Sequence, residues 1–263
     1  MKKIAFCFLI NDIINHEDIW NHFFSKVDNN KYNIYIHYKI DKKLKYFDDK
    51  KIQSIETKYE NHTIPLAYNV LFRKAYENDD NFKFVIVSGS CIPLKSFDYI
   101  YEMMTKDELG YFNECPTSQC YPNCNNLLNV IDKKYISKSH NWFILNRRLV
   151  KALCFDHDDF LRKHYDTIYA PAEYFYLTFI KMLGLEAEIV VTHNAANDAT
   201  TFTNWEGMDY RYPSYFGLKN YNEISQEELK LLLESRCVFG RKFTIPCIRS
   251  LLNPMYINAI SSS

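Results

Sequence analysis

The sequence lacks a net charge. Its 32 Lys and Arg residues are balanced by 32 Asp and Glu residues over 263 positions. Proteins that bind nucleic acids neutralise phosphates with an excess of basic residues, and much of their affinity comes from that neutralisation. The balanced charge therefore argues against a nucleic acid as the partner.

The sequence also lacks a long hydrophobic run. Met1-Lys2-Lys3 precedes only seven apolar residues, IAFCFLI, before Asn11-Asp12. A transmembrane helix needs about 20 predominantly apolar residues, and no small-residue cleavage site follows this run. We therefore expect a buried strand here and a soluble protein without a membrane span. The expected compartment is the cytoplasm, or the host cytoplasm if a large DNA virus encodes the chain.

Cysteine pairs at the spacing of a zinc site are lacking as well. Eight cysteines are scattered along the chain, and without a signal peptide they favour reduced thiols. Cys115, Cys120 and Cys124 form a cluster, but their spacings exceed the usual two residues and no histidine lies nearby in sequence. The cluster therefore does not favour a metal site.

Strand and helix patterns alternate through the first part of the chain. Apolar runs predict strands at residues 4–10, 32–38 and 82–87. Helical spacing predicts helices at residues 16–24, 63–76 and 97–104, with Thr63 as the cap of the second. This alternation is typical of an α/β protein whose mostly parallel sheet is covered by helices.

Beyond Gly110 the pattern loosens. Residues 139–155 predict a short strand that runs into a helix, and a polar aromatic loop is expected at 194–217. Helices are predicted at 170–184 and 225–235, and strands at 187–193 and 237–240. Because no repeat, low-complexity segment or linker interrupts the chain, we predict a single domain over residues 1–263.

The strand at residues 82–87 ends in small polar residues. Ser88-Gly89-Ser90-Cys91 follows it, and then Ile-Pro-Leu and a helical stretch. Strands of α/β enzymes commonly present their binding residues at this end. This tip carries no acid, no histidine and no phosphate-loop lysine, so its chemistry is hydrogen bonding and close backbone approach.

Several stretches, in order along the chain, resemble the core-2/I-branching glycosyltransferases, especially the plant-type branch. YNIYIHYK is similar to the family's Tyr-x-Val-His-x-Asp strand, and VSGSCIPLKSFDYIYEMM to its strand-tip motif. KSHNWFILNRRLVKAL resembles a polar-x-Trp-Phe-x-x-x-Arg segment, and APAEYFYLTF an Asp-Glu-aromatic-x-x-Thr element. VFGRKF resembles a terminal Phe-Ala-Arg-Lys-Phe. The resemblance covers about residues 3–243.

The resemblance implies a GT-A-like fold and an inverting glycosyltransferase that needs no divalent metal or other cofactor. The implied partners are a UDP-sugar donor, with GlcNAc or xylose as the sugar, and a glycan acceptor. It also implies a nucleotide-sugar-binding half at residues 1–110, an acceptor and catalytic half at 111–250, and a tail at 251–263.

The resemblance implies that the donor contacts the strand tip and that cations meet its diphosphate. UDP departs with added negative charge on its β-phosphate, and cations held against it stabilise that charge. His37 has an alternative role as an ordinary strand-end histidine. The expected donor-binding residues are Ser88, Gly89, Ser90, His37, Arg211, Arg241 and Lys242.

Glu173 stands where the resemblance places the catalytic base. An inverting transfer needs a group that takes the proton of the attacking hydroxyl, and apolar neighbours would raise the pKa of a carboxylate for that task. Without the resemblance, the helix dipole is the better explanation of an acid at a helix start. Trp142 and Tyr174 are the expected acceptor-binding residues, with core packing as the alternative for Trp142.

Departures from the family pattern keep other functions open. Ala172 stands where the family has an Asp before the base. Lys39 stands where the family has an acid after its His-x pair, which is His37-Tyr38 here, and Asp41 is a candidate to replace that acid. One alternative is a non-catalytic descendant that binds a glycan or a nucleotide. Another is a metal-dependent transferase that uses Asp156 and Asp158, although acids there also fit a helix cap or solvent exposure.

Overall fold

A central sheet organises the computed structural model, which describes residues 1–120, 124–193, 200–204 and 220–262. Its six strands are β1 (Lys3–Ile10), β2 (Tyr32–Tyr38), β3 (Asn81–Ser88), β5 (Gly110–Asn113), β6 (Ile144–Asn146) and β7 (Ile189–Thr192). They lie in the order β2-β1-β3-β6-β5-β7. A small second sheet contains β4 (Ile92–Pro93), β9 (Phe239–Arg241) and β8 (Thr201–Thr203), in that order.

The central sheet is mostly parallel, and its strand ends lie level. β1 pairs in parallel with β2 and β3, β5 pairs in parallel with β7, and β6 runs antiparallel to both neighbours. Leu9 on β1 lies opposite His37 on β2 and Ser88 on β3. The carboxyl ends of these strands therefore share one edge, and the predicted α/β class is confirmed.

The predicted helices are present in the predicted order, and further short helices accompany them. The α-helices are α1 (Glu17–Phe24), α2 (Thr63–Tyr76), α3 (Phe97–Thr105), α4 (Arg147–Cys154), α5 (Asp158–His164), α6 (Ala172–Met182), α7 (Gln226–Glu234), α8 (Ile248–Leu251) and α9 (Pro254–Ile260). Short 3₁₀ turns lie at Asp48–Lys50, Thr117–Gln119, Asn125–Asn129, Lys133–Tyr135, Glu186–Glu188 and Ile245–Cys247. Within the described ranges, no helix has the length and apolar character needed to cross a bilayer.

One predicted cap is wrong. Thr63 is the first residue of α2, and the N-cap position belongs to His62. The Thr63 hydroxyl instead accepts a hydrogen bond from the Lys58 N–H at 2.8 Å. It therefore fixes the loop that leads into the helix, because its oxygen is turned towards that loop and not towards the first helical turn.

Helix packing explains why β1 is apolar along its whole length. Phe6 and Phe8 contact the ring of Trp20 on α1 edge-on, with centroids 6.3 Å and 5.0 Å apart. Ala5 and Cys7, which point to the opposite face, are fully buried as well. A strand covered on both faces carries a continuous apolar run because neither face meets water.

The segment predicted to be a tail, residues 251–263, contains α9, and α9 packs on the core. Tyr256 and Ile260 of α9 are fully buried. The Tyr256 hydroxyl donates to the carbonyl oxygen of Pro93 in β4 at 2.9 Å. α9 therefore supports the segment that follows the tip of β3.

We expect Tyr256→Ala to lower the free energy of unfolding by about 3–5 kcal/mol, the range for large aromatic residues removed from cores. Leu252→Ala is the control, because Leu252 is 65 % exposed and its loss should change stability by no more than about 0.5 kcal/mol. Urea unfolding of both variants measures the difference. Equal stability of the two would contradict this role of α9.

Candidate active site

The tip of β3 packs tightly against the loop that follows β1. A Cβ atom on Gly89 would lie 2.5 Å from the carbonyl oxygen of Ile13, so a side chain at this position would collide with backbone. The Asn15 N–H donates to the Gly89 carbonyl at 2.7 Å. The hydroxyl oxygens of Ser88 and Ser90 lie 3.2 Å apart. Glycine is therefore required for this approach, whereas the serines add hydrogen-bonding groups beside it.

The same tip is joined to the end of β9. The Phe243 N–H donates to the Ser90 carbonyl at 2.9 Å, and the Asn15 side-chain amide donates to the Phe243 carbonyl at 2.9 Å. Arg241 and Lys242 come directly before Phe243. The fold thus brings the serine-rich tip and the basic pair together, although they are far apart in sequence.

A pocket of about 320 Å³ lies beside this junction. One wall is the first turn of α6 with Glu173, and a second is the segment 138–142 that precedes β6. Arg241 and Lys242 supply a third wall, and Tyr59, Glu60 and Tyr169 stand among the remaining lining residues. Ser88, Gly89 and Ser90 do not line the pocket themselves, but adjoin its basic wall through Phe243.

Glu173 is held in place by neighbours from the 138–142 segment. The Lys138 ammonium lies 3.3 Å from one carboxylate oxygen, and the Asn141 amide donates to the other at 3.2 Å. The Ser139 N–H donates to the Glu173 backbone carbonyl at 2.7 Å. Burial raises the pKa of Glu173 above its ordinary value, whereas Lys138 and Arg241 act to lower it. The site therefore holds an oriented carboxylate with an increased proton affinity.

Arg241 is fixed by an aromatic ring. Its guanidinium lies 4.1 Å from the centroid of the Trp142 ring, a cation–π contact. Trp142 is only 8 % exposed, so the ring is a rigid support. Burial lowers the pKa of both Arg241 and Lys242, but a guanidinium stays protonated in proteins. Neither cation forms an ion pair with another described residue.

Residues 4–232 match the family model described as Core-2/I-Branching enzyme. The chain belongs to this family. The predicted family is thus confirmed, and the matched range contains Glu173 and the 138–142 segment. Arg241 and Lys242 lie beyond that range.

Two similar proteins carry glycosyltransferase names. Glycosyltransferase BC10 of Oryza sativa subsp. japonica is 21% identical over 231 residues, which cover 73% of this chain and 57% of the rice protein. The chain thus spans little more than half the length of that relative. The apo structure of the WbbM bifunctional glycosyltransferase superposes with a TM-score of 0.35 at 11% identity, covering 91% of this chain and 45% of that one.

Some residues predicted from the family pattern lie away from the pocket. His37 is fully buried in β2, where its Nε2 accepts the Ile55 N–H at 2.9 Å and burial lowers its pKa to about 4. Tyr174 is also fully buried, and its hydroxyl donates to the Cys120 carbonyl at 3.1 Å. The geometry favours structural roles for both. Arg211 lies outside the described residues.

The Asp156-x-Asp158 motif, the alternative metal site predicted from the sequence, lies outside the pocket. One oxygen of Asp158 pairs with Arg73 at 3.0 Å, and the other accepts the Asn69 amide at 2.9 Å, which ties α5 to α2. Neither Asp156 nor Asp158 lines the pocket. Among the described residues, no group of three or more His, Cys, Asp or Glu side chains is placed to hold a metal ion.

Sequence reasoning missed several pocket residues. Lys138, His140 and Asn141 stand in the same motif as Trp142, so the polar positions of that motif were an available signal. Burial and nearby cations lower the pKa of His140 to about 4, which keeps it neutral near pH 7. Glu60 and Tyr169 belong to separate loops, and no motif links them in sequence.

The raised pKa of Glu173 predicts a stability effect with a definite sign. The Glu173 carboxylate binds a proton more tightly in the folded protein than in the unfolded chain. Ionised Glu173 therefore lowers the free energy of unfolding at neutral pH. The cost is absent below the unfolded pKa of about 4.3. We therefore expect Glu173→Gln to be at least as stable as the wild type at pH 7, with any gain vanishing as the pH falls towards 4.

The control is Glu227→Gln, which removes an exposed acid from the first turn of α7. That variant should lose about 0.3–1 kcal/mol through the helix dipole. Urea unfolding at pH 7 and pH 4 gives the comparison. A greater loss at pH 7 for Glu173→Gln than for Glu227→Gln would show that ionised Glu173 stabilises the fold.

Proposed function

We propose that the protein is an inverting glycosyltransferase that moves a sugar from a UDP-sugar to a glycan hydroxyl, with UDP-GlcNAc and UDP-xylose as the candidate donors. One observation carries the proposal. A single pocket holds a carboxylate of raised pKa on one wall and, on another, two cations that form no ion pair within the described part of the chain. A single displacement needs these two features, a base for the entering hydroxyl and positive charge for the departing diphosphate.

Glu173 acts as the general base. Its carboxylate takes the acceptor proton as the acceptor oxygen attacks the anomeric carbon, and the bond to UDP breaks with its electron pair leaving on the β-phosphate. Attack from the side opposite UDP inverts the anomeric configuration. Lys138 and Asn141 fix both carboxylate oxygens, which supports a defined orientation of the base. The raised pKa favours proton transfer.

Arg241 and Lys242 stabilise the leaving group. Charge-assisted hydrogen bonds contribute about 1.5–3 kcal/mol each, so the pair accounts for about two to four decades of rate. The nearby strand tip offers Ser88 and Ser90 hydroxyls in place of carboxylates, which supports transfer without a divalent metal or other cofactor. Donor binding would then draw on both halves of the chain, because the tip lies in the first half and the cations lie in the second.

Ala172 is compatible with catalysis. It lines the pocket beside Glu173 and replaces the acid that the family pattern has at this position. The contacts that hold the base come from Lys138 and Asn141, so they do not depend on an acid at residue 172. This geometry favours an active transferase over a non-catalytic binding descendant.

We expect UDP to raise the melting temperature, equally with and without EDTA. At one hundred times its dissociation constant, the ligand contributes about 2.7 kcal/mol. Lys242→Ala should weaken UDP binding by about 10- to 150-fold, because it removes one charge-assisted bond. Lys230→Ala is the control, since the Lys230 side chain is 65% exposed on α7. A UDP shift that disappears in EDTA would indicate a metal-dependent donor site instead.

We expect Glu173→Gln to reduce sugar transfer by at least about a hundredfold, because an amide cannot take the acceptor proton. UDP binding should remain nearly unchanged, since the cations are untouched. Transfer from radiolabelled UDP-GlcNAc or UDP-xylose to glycan acceptors measures the first effect, and thermal shift measures the second. Unchanged turnover would exclude Glu173 as the base, whereas Glu227→Gln should retain wild-type rates.

A further inference from the structure

The pocket has a cluster of side chains that the proposed chemistry does not use. Tyr59, Glu60 and Tyr169 line it together with Glu173. Tyr59 is 80 % exposed, the largest value among the exposed large apolar side chains of the described ranges, and Tyr169 is 54 % exposed. Two solvent-facing rings beside a reactive carboxylate need an explanation, because neither ring contributes to the buried core.

One carboxylate holds this cluster together. The Tyr169 hydroxyl donates to a Glu60 carboxylate oxygen at 2.6 Å. Hydrogen bonding to Glu60 raises the pKa of Tyr59, and raises the pKa of Tyr169 to about 12. No cation in the described part of the chain pairs with Glu60. The carboxylate therefore has acceptor capacity left for a ligand.

The backbone of both loops is strained at this point. Glu60 has φ 54° and Ala170 has φ 51°, the non-glycine residues with left-handed backbone in the described ranges. Such conformations are strained and cluster at sites where a ligand is held. One belongs to the loop that carries Tyr59, and the other directly follows Tyr169. Both strained residues therefore lie in the loops that present this cluster.

The chemistry of the cluster fits a neutral sugar. A pyranose has an apolar C–H face that covers an aromatic ring, and hydroxyls at its edge that donate well to a carboxylate. An acidic ligand would be repelled by Glu60, with Glu173 nearby as a second carboxylate. A neutral pyranose can instead stack on a tyrosine ring and donate a hydrogen bond to the Glu60 carboxylate at the same time.

We propose that Tyr59, Glu60 and Tyr169 form the acceptor-sugar subsite, where a neutral pyranose stacks on a tyrosine ring and donates a hydroxyl to Glu60. This inference rests on the proposed function, since Glu173 would then receive the proton of another hydroxyl of the same sugar. The cluster determines which acceptor is used, and takes no part in the bond-breaking step.

Saturation-transfer NMR on the full chain tests the subsite. The probes are methyl β-galactoside, methyl β-glucoside and methyl β-xyloside, each added in the presence of UDP. We expect the ring protons of at least one glycoside to be saturated by the wild type. Tyr169→Ala should abolish this signal, whereas Tyr169→Phe should retain much of it because the ring remains. Glu60→Gln should weaken binding by about tenfold.

Matched controls separate binding from loss of structure. Tyr99→Ala removes a 49 % exposed tyrosine from α3, and Glu102→Gln removes an exposed acid from the same helix. Both should leave the saturation signal unchanged. Melting temperatures of all variants verify that they remain folded, as expected for substitutions of exposed side chains.

The outcomes distinguish this inference from the proposed function. Equal saturation by Tyr169→Ala and the wild type would overturn the subsite, as would the absence of saturation for every glycoside while UDP still raises the melting temperature. A saturation signal that requires Tyr169, in a protein whose melting temperature does not respond to UDP, would support the subsite and overturn the proposed transfer.

Discussion

The site depends on keeping the Glu173 carboxylate apart from the Arg241 and Lys242 cations within one pocket. A direct ion pair between Glu173 and Arg241 would occupy both the proposed base and the proposed anion-binding group. Instead, Lys138 and Asn141 hold the carboxylate, and the Trp142 ring supports the guanidinium. The walls of the pocket keep each charge oriented and partly desolvated. Desolvation strengthens the electrostatic interaction of each charge with a ligand.

The scaffold meets this requirement with backbone contacts. Strand ends that lie level on β1, β2 and β3 create one edge, and Gly89 allows the loop after β1 to close against it. The Ser90 carbonyl then accepts the Phe243 N–H, which fixes the end of β9 beside that edge. Because these contacts use main-chain atoms, they set the position of Arg241 and Lys242 independently of either cation's side chain.

Periodicity predicted the first part of the fold well. The predicted strands and helices up to residue 105 lie within one residue of the observed ones, because they are long and apolar enough to fix their own type. The short strands β4, β5 and β8 escaped prediction, since two to four residues carry no period. α8 and α9 were missed because their few apolar positions gave no long amphipathic pattern. Their packing depends on partners distant in sequence.

Prediction of the site divided in the same way. Glu173, Trp142, Arg241 and Lys242 were found through sequence motifs, and the fold places all four in one pocket. His37 and Tyr174 stand in the same kinds of motif, yet burial directs them into the core. Glu60 and Tyr169 come into contact only through the conformation of their loops. That conformation includes left-handed backbone at Glu60 and Ala170, which their residue types do not predict. Sequence motifs identify chemical groups, but the tertiary structure determines which groups lie next to each other.

The link between Ser90 and Phe243 has a consequence for when the basic wall of the pocket forms during folding. Contacts between residues so distant in sequence must overcome a large loop-closure entropy before they contribute stability, so they tend to form late and slowly. We therefore expect the basic wall of the pocket to form only after these distant segments have come together. A nucleotide that binds this wall recognises only the completed fold, and its binding energy is linked to the folding of the whole chain and not to the ordering of one loop.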